Sequence, residues 1–506
     1  MASGLPSLPG SQPERRDLSH WMDRVLKELE NLRSSPDKDA VHDLRVAIRR
    51  CRSVGGVMRE VDPDPAWQEL RRVPKKLFRR LGQLRDAQIM DEWVNDHGAE
   101  NDELKAQLHE FFRSKEPKLL AESLRMGAKF EEKAWLRLQR HLSKRLRLVA
   151  AESLAAQCLA VERYNEARDL HSKAIRSDKP QAWHALRIAL KKLRYITESF
   201  LPARYEAWSE RLKALQDLLG EVHDLDVLSG IVKEQAHGGT AHLQPEWERT
   251  IQRERANRLE TYRELASGKK SFWNEWKQAL PHGRLLQTAA MARLRVTSRA
   301  TDNHPRRAAH ISRFTVATFD AFHRAHLAPL FTDHNMRRVL RAAARMSGIN
   351  VKGASSSSRK AAWRFLLERP VPPSWTFEEW ELLAWTVRYH RGAEPKLENS
   401  VFSQLPKEQQ MNVRALAGLI RLARGLRACG IETCKGLRAE ESVDAIVLLV
   451  PGLEDSADTA ARLAKAKHLL ETYLTKPLIL KSEAKEVEKL IPLLAQRDQQ
   501  FAAASD

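Results

Sequence analysis

Apolar residues recur every three or four positions from Asp17 to about Gln287, with few glycines and with prolines mostly at predicted turns. Residues at this spacing share one face of an α-helix, so the whole segment is predicted to be helical. Several helix starts carry an acidic residue that can accept hydrogen bonds from the first backbone N–H groups. The predicted helices begin at Asp17, Asp37, Pro65, Asp102, Glu131, Asp178 and Tyr205.

The pattern changes in the polar, basic stretch 293–312, whose weak periodicity predicts a linker. A second helical region follows from Phe314 to about Gly430, interrupted by a loop predicted at Gly353–Ser358. Near the C-terminus, Ala445–Val450 and Pro477–Leu480 are short runs typical of strands, and a helical pattern over 456–473 separates them. The predicted fold class is therefore mainly α, with a small α+β cap at the C-terminal end.

Two segments of the first region occur twice. His42–Arg52 recurs as His184–Arg194, with the His, Leu, first Arg, Ala and final Arg identical. Each copy is followed by a Leu-Gly-x-x-x-Asp motif, at Leu81–Asp86 and at Leu219–Asp224. A repeat of this kind marks a duplicated supersecondary unit, so two pseudo-symmetric helical bundles are predicted at about 15–150 and 151–292.

The repeated segments are basic on one helical face and apolar on the neighbouring face. The basic positions span an arc of roughly 80° at about 100° per residue. They are His42, Arg45, Arg49 and Arg52 in the first copy, and His184, Arg187, Lys191 and Arg194 in the second. The apolar positions are Val41, Leu44, Ile48 and Cys51, then Trp183, Leu186, Leu190 and Leu193. Each helix is predicted to pack with one face and to present cations on the other.

Charge gives these stripes a candidate function. The chain has 86 Lys and Arg against 66 Asp and Glu, a net charge of +20, which favours an anionic partner. Clustered cations repel one another unless an anion lies among them, and arginine binds phosphate oxygens through two parallel hydrogen bonds. The candidate polyanion-binding residues are His42, Arg45, Arg49, Arg50, Arg52, Lys75, His184, Arg187, Lys191, Lys192, Arg194 and Lys213. The alternative is a solvated basic face; for Lys75 and Lys213 the two interpretations are equally supported.

The duplicated segments resemble the conserved histidine α-helical domain, called CHAD, over about residues 15–292. The resemblance implies two four-helix bundles around a basic channel that binds inorganic polyphosphate, and association with polyphosphate granules. By position, the ligand-facing residues of that family correspond to the basic residues named above. Asp86 and Asp224 are expected to support the fold through ion pairs instead.

The second region resembles the C-terminal helical domain of the exopolyphosphatase/guanosine pentaphosphatase family, which is similar to the HD phosphohydrolase fold. The resemblance is carried by Phe319–Leu330, Arg337–Ile349, Val387–Pro395 and Val413–Ala423. An HD site needs His and Asp ligands for a divalent metal. At the corresponding positions this sequence has Met346-Ser347, the segment Ser355–Lys360, and Arg424.

We therefore predict no catalytic residues, no metal and no cofactor, and we interpret His390 as structural. Five arginines of this region either extend the basic surface or keep the domain soluble: Arg388, Arg391, Arg414, Arg421 and Arg424. The predicted organisation is a disordered tail (1–14), the CHAD domain (15–292), a linker (293–312), an HD-like helical domain with its α+β cap (313–490), and a second tail (491–506).

Other features narrow the function class. No apolar run approaches the ~20 residues of a membrane helix, the N-terminal stretch lacks an export signal, and the four cysteines suit a reducing compartment. These features predict a cytoplasmic protein with no membrane partner, and the CHAD resemblance implies a location at polyphosphate granules. The leading hypothesis is a non-enzymatic binder of inorganic polyphosphate or another phosphate polyanion. A nucleic-acid-binding protein and an HD-type metal phosphohydrolase acting on polyphosphate or guanosine polyphosphates are the alternatives.

Overall fold

The computed structural model describes residues 17–97, 102–269, 271–302, 304–351, 358–396, 398 and 400–482. The described chain is mainly α with one three-stranded sheet, which confirms the predicted fold class. It divides into two compact units, an N-terminal unit (1–300 with 372–374) and a C-terminal unit (301–371 with 375–506). Both predicted tails and the predicted loop up to residue 357 lie outside the described residues.

The N-terminal unit is built from helices that follow one another with short connections. They are α1 (Leu18–Ser34), α2 (Lys38–Val61), α3 (Ala66–Arg72), α4 (Lys75–His97), α5 (Glu103–Ala128), α6 (Glu132–Leu146), α7 (Leu154–Ser177), α8 (Pro180–Phe200), α9 (Pro202–Gln235), α10 (Gln244–Ala266), α11 (Phe272–Ala279) and α12 (Gly283–Thr301). A 3-10 helix at Gly238–Leu243 precedes α10.

The helix pairing of the first half is repeated in the second. Helix α1 packs on α2 and α4 packs on α5; in the second half α7 packs on α8 and α9 packs on α10. The two repeated helices, α2 and α8, also pack on each other. All eight predicted apolar positions of these two helices are buried, and each Val, Ile or Leu among them contributes about 1.5–3 kcal/mol. The duplicated segments therefore lie together at the centre of the unit.

Capping side chains explain where several of these helices begin. The side chains of Asp17, Asp37 and Asp102 accept hydrogen bonds from backbone N–H groups of the first turn, as the sequence predicts. Two predicted starts are shifted. Helix α8 begins at Pro180 rather than Asp178, and α9 begins at Pro202 rather than Tyr205, because proline at the first helical position presets the backbone angle. Asp178 instead ends α7 in the left-handed conformation.

The stretch 293–312, predicted to be a linker, is largely helical. Helix α12 continues to Thr301, and the next helix begins at Pro305. The periodicity was hidden because polar residues occupy the buried face of α12. Arg293 is 1% exposed and its Nε lies 2.8 Å from Glu162 Oε1 on α7, and Thr297 is also buried. A buried, paired arginine looks like a surface residue in a sequence.

The C-terminal unit combines helices with a small sheet. Its helices are α13 (Pro305–Arg324), α14 (His334–Met346), α15 (Ser358–Leu367), α16 (Phe377–Tyr389), α17 (Lys407–Ala428) and α18 (Ala457–Leu474). Two 3-10 helices lie at Pro329–Thr332 and Val401–Gln404.

The sheet of the C-terminal unit contains β1 (Arg438–Glu441), β2 (Ile446–Leu449) and β3 (Leu478–Lys481). Strand β1 pairs antiparallel with β2, and β2 pairs parallel with β3 after a crossover through α18. The predicted strands and the helix between them match β2, α18 and β3 closely. Strand β1 escapes prediction because it is a polar edge strand without apolar alternation.

Candidate functional site

Four cations from the two repeats form the centre of the candidate site. Arg45 and Arg49 come from α2, and Arg187 and Lys191 come from α8. We call these four side chains the central basic cluster. All four are partly buried, and the electrostatic influence of Arg45, Arg49 and Arg187 reaches Lys191. Packing of α2 on α8 therefore brings like charges together that are about 140 residues apart in sequence.

The environment of the central basic cluster lowers the pKa values of three of its cations. The pKa of Lys191 is lowered to about 7, mainly by burial and then by Arg187 and Arg49, while Asp224 opposes the shift. Burial also lowers the pKa values of Arg45 and Arg187, with neighbouring arginines adding to the effect. Such shifts mean that the cluster holds its positive charges at an energetic disadvantage, which a bound anion would remove.

Hydrogen-bond donors of the cluster are left without acceptors. Arg45 Nη1, Arg49 Nε and Arg187 Nε are buried, and none has a hydrogen-bond partner among the described residues. A buried donor without an acceptor costs about 1–3 kcal/mol. The cluster therefore offers directional N–H groups as well as charge.

The glycine of each Leu-Gly-x-x-x-Asp motif lies next to a cluster arginine. A Cβ atom at Gly82 would be 2.8 Å from Arg45 Nη1, closer than side chains tolerate. A Cβ atom at Gly220 would be 4.0 Å from Arg187, an ordinary contact. Arg45 also lies over the Phe78 ring, 5.6 Å from its centroid. The first motif glycine thus makes room for the Arg45 guanidinium against α4.

The motif aspartates do not form the ion pairs that we expected. Among the described residues, no Lys, Arg or His nitrogen lies within 4 Å of Asp86 or Asp224, so that expectation is wrong. Burial raises the pKa of Asp224 to about 6, while Arg187 and Lys191 lower it and Asp86 raises it. Burial also raises the pKa of Asp86. Both carboxylates lie in the field of the cluster and balance part of its charge at a distance.

The two repeated histidines have different surroundings. His184 Nδ1 lies 3.3 Å from His223 Nδ1, and the rings are 4.5 Å apart. Burial, Arg187 and His184 lower the pKa of His223 to about 4, and the pKa of His184 is lowered as well. His42 is exposed, and its Nδ1 lies 3.1 Å from the carboxylate of Asp43. Only the second histidine belongs to the buried site.

Two site residues were missed in the sequence. His223 and Arg85 occupy the same position in the two Leu-Gly-x-x-x-Asp motifs, directly before the aspartate. Arg85 lowers the pKa of Arg45, and His223 contacts His184. A basic or imidazole side chain at the matched position of both motifs was the signal that could have identified them.

Arg50 and Lys192 were predicted to bind the ligand, but the structure gives them acidic partners. Arg50 on α2 forms an ion pair with Glu198 on α8, and its guanidinium lies over Trp21 at 5.2 Å. Lys192 Nζ is 2.6 Å from a carboxylate oxygen of Glu166 on α7. The physical reason is the helical angle, because both residues lie one position beyond the basic arc and point towards neighbouring helices.

The remaining predicted residues also lie outside the central basic cluster. Arg52 donates to the backbone oxygen of Arg71 at 2.8 Å, and Arg194 donates to the Gln216 side chain at 2.9 Å. These contacts hold the C-terminal ends of the two basic stripes against neighbouring segments. Lys75 and Lys213 are exposed, and neither forms an ion pair or hydrogen bond with another residue in the described ranges.

In the C-terminal unit, His390 is buried beneath the end of α16. Its Nδ1 lies 2.6 Å from the Val387 backbone oxygen, and burial lowers its pKa to about 3. The described part of the chain contains no group of three or more His, Cys, Asp or Glu placed to hold a metal ion. Within the same residues, no helix has the length and apolar character needed to span a membrane.

Comparison with known proteins assigns the first part of the chain to a family. Residues 16–233 match the CHAD domain family, so this segment is a CHAD domain. The crystal structure of the CHAD domain from the plant Ricinus communis is similar, with 19% sequence identity and a TM-score of 0.34. That similarity covers 52% of this chain and 88% of the plant chain. No curated protein matches the chain.

Proposed function

We propose that the CHAD domain of this protein binds inorganic polyphosphate across the central basic cluster, without catalysing a reaction. The observation that carries the proposal is the convergence of Arg45, Arg49, Arg187 and Lys191 from both repeats, with buried N–H donors unpaired. The CHAD family is generally linked to polyphosphate binding. A protein of this kind would gather wherever polyphosphate accumulates, including polyphosphate granules.

A polymer satisfies the cluster better than a single small anion. The four cations on α2 and α8 and the nearby Arg85 on α4 distribute charge over three helices, so a ligand needs several negative groups to neutralise them. When a Lys or Arg side chain neutralises a phosphate of a polymer, counterions condensed on the polymer are released, and each such contact adds to the affinity. Arginine forks can each bind two oxygens of such a chain, so recognition does not require a sequence or a base.

Aromatic side chains of the N-terminal unit argue against single-stranded nucleic acid. Proteins that bind single strands stack bases on accessible aromatic rings. In the described part of this unit most tryptophans are buried, and the two that are not, Trp21 and Trp93, are covered by Arg50 and Arg258. The unit thus offers phosphate contacts without a freely accessible tryptophan for base stacking, which favours polyphosphate over DNA or RNA.

A competition experiment tests the proposal. The protein is bound to fluorescent polyphosphate and challenged with unlabelled polyphosphate, single-stranded DNA and RNA at equal phosphate concentration. We expect polyphosphate to displace the probe at much lower concentration than either nucleic acid. Equal displacement by DNA or RNA would instead establish a general nucleic-acid-binding role.

A matched pair of variants locates the binding site. Replacing Arg45, Arg49, Arg187 and Lys191 with Ala should lower the affinity at least 100-fold, because a hydrogen bond to a charged group contributes about 1.5–3 kcal/mol. The control replaces three arginines and one lysine on α5 and α6, which are exposed: Arg125, Lys133, Arg137 and Arg140. Circular dichroism monitors helicity in both variants. Equal loss of binding in the control would contradict the proposed site.

We propose that the C-terminal unit is an HD-like domain that acts without metal-dependent hydrolysis. His390 supports this proposal because it is buried and hydrogen-bonded to backbone, and Arg424 occupies a position where a metal-binding carboxylate was expected. The test is phosphate release from polyphosphate and guanosine tetraphosphate with added Mg²⁺ or Mn²⁺. Turnover that is lost in His390→Ala, with the fold retained, would establish an enzyme instead.

A further inference from the structure

The C-terminal unit contains a cavity of about 250 Å³ that is separate from the central basic cluster. It lies where the start of α13 meets the segments that follow α14 and α16 and the last turns of α17. Its volume is below the ~300–1,000 Å³ of cavities that hold drug-sized ligands, so it suits a compact ligand.

Three arginines from three separate segments line this cavity. Arg307 comes from α13, Arg391 follows α16, and Arg424 comes from α17. The pKa of Arg424 is lowered to about 10, mainly by burial and then by Arg307 and Arg391. Arg424 forms no ion pair or hydrogen bond with any residue in the described ranges. The three guanidinium groups therefore share one small space.

One carboxylate, that of Asp302, also lines the cavity. Its Oδ1 accepts a hydrogen bond from the His304 backbone N–H at 2.7 Å, and its Oδ2 is buried beside Gly348, where a Cβ atom would clash with it. Asp302 is thus held between the backbone N–H of His304 and Gly348. Three permanent positive charges against one negative charge leave the cavity cationic.

We infer that this cavity binds a compact phosphate anion of the pyrophosphate class, free or as the diphosphate group of a larger molecule. A diphosphate carries several anionic oxygens in a small volume, and each guanidinium can bind two of them. Arg307, Arg391 and the Asn350 side chain are exposed, so the cavity is open to solvent on that side. The remainder of a larger ligand would project outwards there.

This inference changes the interpretation of the arginines in the second region. Arg391 and Arg424 border the cavity, whereas Arg421 donates to the backbone oxygens of Tyr389 and Gly392 and stabilises the end of α16. The sequence offered only a basic surface or solubility as explanations. The geometry assigns Arg391 and Arg424 to the ligand-binding cavity and gives Arg421 a structural role.

Isothermal titration of the full-length protein with sodium pyrophosphate tests the inference. Arg424→Met keeps the length of the side chain but removes the charge, and we expect it to weaken pyrophosphate binding about tenfold or more. Arg427→Met, on the exposed face of the same helix, should leave binding unchanged. Both variants should bind polyphosphate like the wild type, so failure of this inference is distinguishable from failure of the proposed function.

Two further measurements complete the test. Arg307→Gln changes an exposed side chain and should weaken pyrophosphate binding in the same direction, even if Arg424→Met proves unstable in a thermal melt. ADP replaces pyrophosphate in a parallel titration; Arg424-dependent binding of ADP would place a diphosphate group in the cavity with its nucleoside outside. Binding of neither ligand, or equal binding by Arg424→Met and the wild type, would overturn the inference.

Discussion

Lys191 is the residue whose charge responds most directly to a ligand near neutral pH. Its pKa of about 7 reflects burial first and then Arg187 and Arg49, with Asp224 opposing and Arg45 adding to the shift. A polyanion beside the ammonium group favours the protonated form and raises the pKa. Between pH 7 and the raised value, the free protein holds less charge on Lys191 than the complex.

We therefore predict that polyphosphate binding at pH 8 is accompanied by proton uptake, and that affinity falls as the pH rises above about 7. Titrations in two buffers of different ionisation enthalpy measure the uptake. Asp224, with a pKa of about 6, contributes mainly at lower pH. Lys191→Met should remove the uptake at pH 8; uptake that persists in this variant would assign it to another group.

A second residue-scale prediction separates structural arginines from binding arginines. Arg50 joins α2 to α8 through Glu198, whereas Lys192 forms a more exposed pair with Glu166. We expect Arg50→Met to lower the free energy of unfolding by about 2 kcal/mol, less than the ~3–5 kcal/mol for a fully buried pair because both partners keep some exposure. Lys192→Met should change it by less than about 1 kcal/mol.

Urea unfolding measures both variants, and polyphosphate titration accompanies it. Neither variant should lose more than a few-fold in polyphosphate affinity, because neither residue belongs to the central basic cluster. A large loss of binding in a stably folded Arg50→Met protein would return Arg50 to the binding site.

At the scale of elements, α4 can approach the Arg45 side chain closely because Gly82 has no side chain. Gly82→Ala would place a Cβ atom 2.8 Å from the present position of Arg45 Nη1, so the flexible guanidinium must move. We expect about a tenfold loss of polyphosphate affinity with the fold intact. The measurement is a direct titration, with the helical content checked by circular dichroism.

The second repeat supplies the control for this prediction. Gly220→Ala adds a Cβ atom at 4.0 Å from Arg187, an ordinary contact, and should leave affinity unchanged. Because alanine is favoured over glycine inside a helix by up to ~1 kcal/mol, the variant should be as stable as the wild type or more so. Equal loss of affinity in both variants would indicate a general effect of the motif glycines.

The sequence predicts the elements well where side-chain character and burial agree. The buried apolar faces of α2 and α8, the caps at Asp17, Asp37 and Asp102, and the strands around α18 follow from local pattern. Prediction fails where a tertiary contact reverses the usual environment of a residue. Arg293 is buried against Glu162, so a helix was interpreted as a linker.

The same limit applies to the candidate site. Repetition identified Arg45, Arg49, Arg187 and Lys191, because their spacing alone places them on one face. Spacing on one helix cannot reveal which neighbours lie across the interface. The acidic partners of Arg50 and Lys192, and the approach of His223 to His184, depend on how α7, α8 and α9 pack in three dimensions.

At the scale of the whole molecule, the net charge of +20 favours polyanions in general, and under the proposed function the central basic cluster holds the bound polymer. The decrease of polyphosphate affinity with rising salt concentration should therefore have two contributions, one from the net charge of the protein and one from the central basic cluster. We predict that the steepness of log affinity against log salt decreases by about three when the four cations of the cluster are replaced with alanine, at ~0.7–0.9 per phosphate contact. Titrations from low to high salt give the slope. A decrease equally large in the α5 and α6 control would mean that net charge alone controls binding.

The packing of α2 on α8 bears on how the duplicated repeats came to share one site. Each repeat supplies only half of the central basic cluster, so a single repeat could complete it only by pairing with a second copy of itself in a symmetric dimer. Fusion of the two repeats into one chain makes that pairing independent of protein concentration. It also allows the two repeats to differ in sequence, which the identical subunits of a dimer cannot do. The different surroundings of His42 and His184, and the replacement of Arg85 by His223 at the matched motif position, are differences that such a fused dimer permits.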